Sequence, residues 1–562
     1  MYNEEYISYL NSLHNYNAQN SNSYGEKNVN NKFFQDVMVE IGLSKYILKD
    51  IEGNDPHVII LTGHAGDGKT SIMYQVLKEL GVSFDPELKI CDYELASGKK
   101  CRCIKDFSEI SDEEKKEVLR EAVEMPSYGN FVFMVANTGP LINTFGELFE
   151  DSDEQERAKI ELIDAMDSNT GKISVIKGYK LCVINVAAVD NTYFAVDFLK
   201  KLTQEKLWTN CEECPKKQYC HILNNRNLIV KNKKCVNEFL GMHYVWLTEH
   251  GKRLTIRSMT EQLTYMLTGG INCNKVTKVE KYKLLFSNLF FGYVGTIINQ
   301  KAIKILAIKE TQNCGYDRKR LRSDEKLLLN REYSKVFGKE VADIISDAEQ
   351  KNRNVSGWIE FLRRIYFFAN IVMDEQILNQ NYEDIFSKQY RRYLALRSGE
   401  ITPSKIDSNL VCDALAMIYV GTTNNQQMIP LTLSREEGIT QNVQLITGTL
   451  MTRSRKLVQK ATKDGLFYEK KPRYSLILKV NQCELKSEIT LPLLNYLEDL
   501  KNGIISTNVD PQLSHGIESI KAELSEIIDN TDDETFEMII LRNSGPISVG
   551  LEILDNKKIR EV

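Results

Sequence analysis

His57-Val-Ile-Ile-Leu-Thr62-Gly63-His64-Ala65-Gly66-Asp67-Gly68-Lys69-Thr70-Ser71 joins an apolar, β-branched run to a Gly-x-x-x-x-Gly-Lys-Thr loop. An amphipathic segment, Ile72 to Leu80, follows and stops at Gly81. Strand, glycine-rich loop and helix in this order are what a phosphate-binding loop requires. Its glycines let backbone N–H groups curl around a phosphate chain, and the helix N-terminus adds a positive dipole end. Within Gly63–Ser71, Lys69 is expected to reach the β- and γ-phosphates and the Thr70 hydroxyl to ligate Mg²⁺. The competing reading, a chance glycine turn, leaves the strand before it and the helix after it unexplained.

The rest of the chain is read outward from this loop. Its 562 residues are enough for several domains with apolar cores. A formal charge of −5 argues against a surface that coats nucleic acid generally, while leaving room for a local basic groove. No apolar run reaches the ~18–20 residues of a membrane span, and Met1-Tyr-Asn-Glu-Glu lacks the basic and apolar regions of a secretion signal, so no membrane is expected. Twelve cysteines without regular spacing suit a reducing cytoplasm.

Residues 1–50 form a lead-in: an Asn/Ser/Tyr-rich loop (Asn15–Asn31), then helical spacing from Phe33 to Leu48. After the loop helix, strands are expected at Lys89–Tyr93, near Cys101–Lys105, at Asn130–Ala136 and at Lys180–Val189. Helices alternate with them, at Ser111–Glu124, Glu154–Met166 and Tyr193–Leu207. This alternation implies a parallel α/β sheet with its ligand at the strands' carboxyl ends, where Asp106, Asn137 and Asp190 fall. Asp106 is the candidate Mg²⁺-holding acid, with Glu109 in reserve to polarise water; the alternative is a turn cap. Asn137 is the candidate γ-phosphate sensor, against the alternative of an ordinary Asn-Thr-Gly-Pro turn. The order Lys69, Asp106, Asn137 then matches an AAA+/STAND-like P-loop NTPase core.

Cys211-x2-Cys214-x5-Cys220 is a knuckle able to wrap Zn²⁺, with Cys273, Cys235 and His221 as candidates for the fourth ligand. Reduced structural cysteines are the competing reading. Arg226 is a candidate for reaching a neighbour's γ-phosphate in a homo-oligomer, and Arg257 for sensing nucleotide within its own chain. For both, an ordinary surface or capping arginine is the simpler alternative. Residues 51–245, with the knuckle at 208–235, thus form the core. Residues 246–400 read as a helical domain and 401–562 as a smaller α/β module. The aromatic runs near Tyr282–Tyr293 and Trp358–Phe368 read as core, and the basic Arg318–Arg322 and Arg391–Arg392 as solvated loops.

With these residues in hand, the chain resembles the P-loop ATPase family of bacterial phosphorothioation-dependent DNA restriction systems, which act in anti-phage defence. Gly63-His-Ala-Gly-Asp-Gly-Lys-Thr70, Ile104–Glu109, Val135–Gly139, the knuckle, Arg257 and Gly269-Gly-x-x-Cys273 carry the resemblance, over roughly residues 55–275. His221 departs from it, standing where proline is expected. The resemblance implies an AAA+/STAND-like fold and ATP hydrolysis within a multi-protein complex, with double-stranded DNA as a further partner. Two other readings stay open: a STAND-like switch in which ATP locks a conformation with little turnover, and a small-molecule P-loop kinase. The kinase fits less well, because two large accessory segments stand where an arginine-rich substrate lid is usual.

Overall fold

The computed structural model describes residues 3–14, 16, 31–82, 88–95, 98–352, 355–370, 382–420, 428–432, 443–451, 455–462, 474–480, 482–505, 509–528, 535–542, 545–553 and 559–561. Most of the Asn15–Asn31 stretch expected as loop lies outside them, as do Val372 and Leu433 at the ends of expected elements. The chain divides into two compact units, Met1–Asp374 with Gly465–Lys471, and Glu375–Asp464 with Pro472–Val562. The lead-in and the expected core therefore share one unit. The 246–400 segment contributes most of its helices to the first unit and Tyr390–Ser398 to the second.

The first unit is α/β. Its strands are β1 (Val58–Thr62), β2 (Ile90–Glu94), β3 (Lys100–Ile104), β4 (Phe131–Val135), β5 (Ser174–Ile176) and β6 (Tyr179–Asn185). They form one sheet in the order β2-β3-β4-β1-β6-β5. The four central strands run parallel, and β2 and β5 close the edges antiparallel. The sheet is thus mixed, with parallel pairing dominant. β5 was not legible in the sequence: three residues with Val175 exposed carry no periodic signal.

Helices α1 (Glu4–Ser12), α2 (Phe34–Val37), α3 (Gly42–Gly53), α4 (Lys69–Glu79), α5 (Asp112–Glu124), α6 (Thr138–Gly146), α7 (Ser152–Ser168) and α8 (Phe194–Leu202) surround the sheet. All five β1 residues are buried, and they alternate between two cores. Ile59 and Leu61 pack with Ile47, Ile72 and Val76 of α3 and α4. Val58 and Ile60 pack with Leu119, Leu141 and Leu162 of α5, α6 and α7. Each such side chain contributes about 1.5–3 kcal/mol on leaving water. β1 is therefore covered on both faces, and its carboxyl end is fixed where the glycine loop begins.

The helix expected over Phe33–Leu48 is broken in two. Residues 38–41 are extended because Gln75 of α4 takes over their backbone: its Nε2 donates to Val39 O at 2.9 Å and its Oε1 accepts from Ile41 N at 3.0 Å. Tertiary hydrogen bonds replace the helical ones here. At α5, Ser111-Asp-Glu-Glu114 spells a capping box, yet the two side chains bond each other instead of the backbone. Ser111 Oγ donates to the Glu114 carboxylate at 2.6 Å and makes no bond to a helix N–H.

Beyond the sheet come α9 (His221–Lys231), α10 (Lys233–Glu249) and α11 (Ile256–Thr268), followed by further helices to Ala369. Aromatic residues form the core of this part, with Phe239 and Phe368 edge to face at 4.7 Å. Two buried arginines pin the basic Arg318–Arg322 segment from within. Arg364 binds Asp317 and Arg363 binds Asp324, both at 2.6 Å, while Arg318, Arg320 and Arg322 face solvent.

Among the described residues of the second unit, the strands pair antiparallel. A five-stranded sheet contains Val443–Met451 and Thr535–Arg542, and a three-stranded sheet is centred on Tyr474–Val480. Arg392 pairs with Asp407 at 2.6 Å, and Arg391 lies over the Tyr382 ring. Among the described residues, no helix is long and apolar enough to cross a membrane.

Candidate functional site

The Gly63–Ser71 loop leaves the carboxyl end of β1 and enters α4 through Gly68. This residue has φ +87°, a conformation that favours glycine, and a Cβ there would also crowd Ile256 Cδ1 at 3.0 Å. No side chain caps the first turn of α4, so its N–H groups keep their capacity to bind an anion. Gly66 has φ +89° and is held from outside: its carbonyl accepts Arg257 N–H at 3.1 Å.

A side chain within the loop fixes its shape. Asp67 is fully buried; one carboxylate oxygen accepts His64 N–H at 3.0 Å and the other accepts Arg253 Nη1 at 2.8 Å. Arg253 also donates to Val186 O at 3.2 Å, just beyond β6. The sequence reading treated Asp67 only as a loop position and did not single out Arg253. The two lie 186 residues apart, and no local pattern links them.

Lys69 Nζ donates to Gly63 O and His64 O, both at 2.9 Å, and to Asn137 Oδ1 at 3.2 Å. Burial lowers the pKa of its ammonium, an effect that Asp67 and Asp106 oppose and Arg257 reinforces. Asn137 N–H donates to Ser108 Oγ at 2.9 Å, and Ser108 N–H donates to Asp106 Oδ1 at 2.9 Å. The ends of β3 and β4 are thus tied together beside Lys69. Asp106 caps a short 3-10 turn, as the alternative reading expects, and it also lines the cavity. Glu109 is exposed and lines the same cavity. Asp190, at the end of the β6 segment, is occupied by Thr192 N–H and hydroxyl at 2.9 and 2.7 Å.

A cavity of about 230 Å³ opens beside the loop and is lined by Lys69, Thr70, Asp106, Glu109, Asn137 and Arg257. Its other wall is apolar: Tyr9 and Leu13 from α1 and its end, Phe34 and the 37–41 segment, with Phe194 and Phe198. The rings of Phe194 and Phe198 stack at 5.2 Å. A polar lining that sets Lys69 and Arg257 beside Asp106 and Glu109, together with an apolar, aromatic lining, suits a ligand with a charged tail and a flat apolar head. Nothing in the sequence marks Tyr9 and Leu13, which reach this wall from fifty or more residues ahead of the loop. Arg226 points elsewhere, its guanidinium bonding Thr203 O at 3.2 and 3.3 Å just past the end of α8.

The cysteines gather at a second place. Cys211, Cys214 and Cys220 all lie close enough to Cys273 to raise its pKa, adding to burial, which acts most strongly; together they bring it to about 12. His221 faces Thr268 O through Nε2 at 3.1 Å, and Cys235 donates to Asn370 O at 2.7 Å, so the structure favours Cys273 over both as companion to the knuckle. One further group, Asp50, His57 and Cys182, has its ligand atoms within 4.8 Å of one another. Protein already occupies those atoms. His57 binds Asp50 Oδ2 at 2.6 Å and Asp55 O at 2.8 Å, and Cys182 binds Gly171 O at 3.1 Å.

Comparison of the chain with family models, with curated proteins and with solved structures returned no match.

Proposed function

We propose that this chain is an ATPase: it binds ATP with Mg²⁺ through a P-loop NTPase core and hydrolyses it as a subunit of a multi-protein, DNA-targeting defence complex. The observation that carries the first part is convergence at one sheet edge. An uncapped α4 N-terminus, Lys69, Thr70, Asp106, Asn137 and Arg257 all border a cavity whose opposite wall is aromatic. The triphosphate lies along the glycine loop, and the adenine ring lies against Phe194, Phe198 and Phe34. Lys69 exchanges carbonyl partners for phosphate oxygens, which restores the charge that burial disfavours.

Thr70 and Asp106 would hold Mg²⁺ through their side-chain oxygens, a donor type it takes, and the ion would supply charge neutralisation to the phosphate chain. Asn137 orients the attacking water through its amide, and Glu109 or Asp106 accepts a hydrogen bond from it. The water oxygen bonds to the γ-phosphorus as the bond to the β,γ-bridging oxygen breaks, releasing ADP and phosphate. Arg257, which borders the cavity, holds the negative charge that grows on the leaving oxygen.

The defence-complex part rests on the family resemblance. A nucleotide-gated switch is the second reading, favoured by Asp106 already accepting Ser108 N–H, which leaves it a weaker partner for water. Steady-state phosphate release with and without duplex DNA separates the two. DNA-stimulated turnover abolished by Lys69→Ala supports the hydrolase, and tight ATP retention with negligible turnover supports the switch. Absence of ATP binding removes both.

A further inference from the structure

We propose that Cys211, Cys214, Cys220 and Cys273 form a four-thiolate zinc site that anchors helix α1, so that metal occupancy holds one wall of the candidate nucleotide cavity in place. The metal half of this proposal stands independently of the ATPase reading; the consequence for nucleotide rests on it.

Several contacts build the site. Lys216, inside the knuckle, sends its ammonium to the carbonyls of Cys273, Asn274 and Val276 at 2.8, 3.1 and 3.2 Å. That single side chain docks the knuckle on the Cys273 turn, 57 residues onward. Two of the sulfurs already accept N–H groups. Cys220 takes the backbone N–H of Leu223 and Ile222, and Cys211 takes Asn3 Nδ2 at 3.4 Å. N–H donors aimed at sulfur are the kind of outer partner that metal-bound sulfurs use. Four sulfurs with this spacing match the donor number and softness of zinc.

The ligands are gathered without being closed on a common centre. Among the described residues, the one set of ligand atoms all within 4.8 Å is the Asp50 group, whereas a zinc tetrahedron brings its sulfurs to about 3.8 Å from one another. Rotamer changes within the knuckle and the Cys273 turn are what binding would have to supply.

The link to the cavity runs along α1. Asn3, at its start, bonds both Leu207 O at 2.7 Å and the Cys211 sulfur. Tyr6 donates to Leu202 O at 2.8 Å and meets Trp208 edge to face at 5.7 Å. Asn11 bonds Asn272, the neighbour of Cys273. Tyr9 and Leu13, from the same helix and its end, line the cavity. The helix thus touches the knuckle and the Cys273 turn with one set of residues and the cavity with another. A metal that locks those two segments together fixes the wall.

The test uses the full chain purified without chelator. Elemental analysis should find about one zinc per chain, retained in a Cys91→Ser control and lost in Cys214→Ser and Cys273→Ser. Hydrogen exchange on the wild-type protein then follows the residues of α1. Exchange there should quicken by about tenfold or more when a chelator strips the metal, and should slow again when zinc is restored. Asn3→Ala should keep the zinc and still show the faster exchange. Metal-free protein, or another metal at this site, overturns the zinc assignment. Exchange in α1 that is indifferent to zinc overturns the anchoring. Neither readout involves nucleotide, so failure here and failure of the ATPase reading are separate results.

Discussion

Arg253 Nη1 lies 2.8 Å from Asp67 Oδ1, and the carboxylate it meets is fully buried inside the glycine loop. The pair therefore sets the loop's shape from a segment just ahead of α11, and the same carboxylate holds His64 N–H through its other oxygen. Arg253→Ala leaves a buried charge without its partner, which costs about 3 kcal/mol. Thermal or denaturant unfolding should register that loss. Asp67→Asn removes the charge and keeps an acceptor for His64, so it should cost less. Equal stability of Arg253→Ala and the native chain would show that the pair does not hold the loop.

Phe198 separates the two halves of the proposed ligand. It belongs to the aromatic wall and makes no hydrogen bond to the loop, so Phe198→Ala should weaken ATP binding by roughly tenfold or more, from lost apolar contact. Inorganic tripolyphosphate, which has no base, should bind the variant as it binds the native chain. Calorimetry with both ligands makes the comparison. Equal weakening of both would place the defect in the loop or in the fold, and not in a base pocket.

Glu261, one turn after Arg257 on α11, gives a pH signature. Burial raises its carboxyl pKa from 4.5 to about 7, and Arg257 opposes the rise. An acid whose folded pKa is raised binds more protons folded than unfolded between those values. Stability should therefore fall as pH rises from about 4.5 to about 7, by an amount on the order of 3 kcal/mol at most. Glu261→Gln should flatten this part of the stability–pH curve. An unchanged slope in the variant would assign the titration to another group.

What the sequence made legible here was local. The β1–loop–α4 unit shows in consecutive residues because its strand, glycines and helix are contiguous in the chain. Asn137 was legible as a strand end because it follows a continuous apolar run, and Asp106 because it follows a short strand pattern that ends in acid. The Arg253–Asp67 pair, the Gln75 bonds that unwind 38–41 and the α1 wall join residues tens to hundreds of positions apart. No periodicity encodes such contacts. The cysteines are an intermediate case. Spacing links Cys211, Cys214 and Cys220, whereas the contact that brings the Cys273 turn to them is Lys216 reaching across 57 residues.

Lys69 tests the central claim most directly, because its two roles have opposite signs. In the empty site its ammonium is disfavoured by burial, so Lys69→Ala should leave thermal stability unchanged or slightly higher. The same variant should lose the phosphate contact on which ATP binding depends. The decisive measurement is calorimetric titration of Mg-ATP into the native chain and into Lys69→Ala, with each protein's unfolding temperature recorded alongside. Saturable binding by the native chain, abolished in a variant that is no less stable, is the predicted result. Equal binding by both proteins, or none by the native chain, would contradict the assignment of this loop as a nucleotide site.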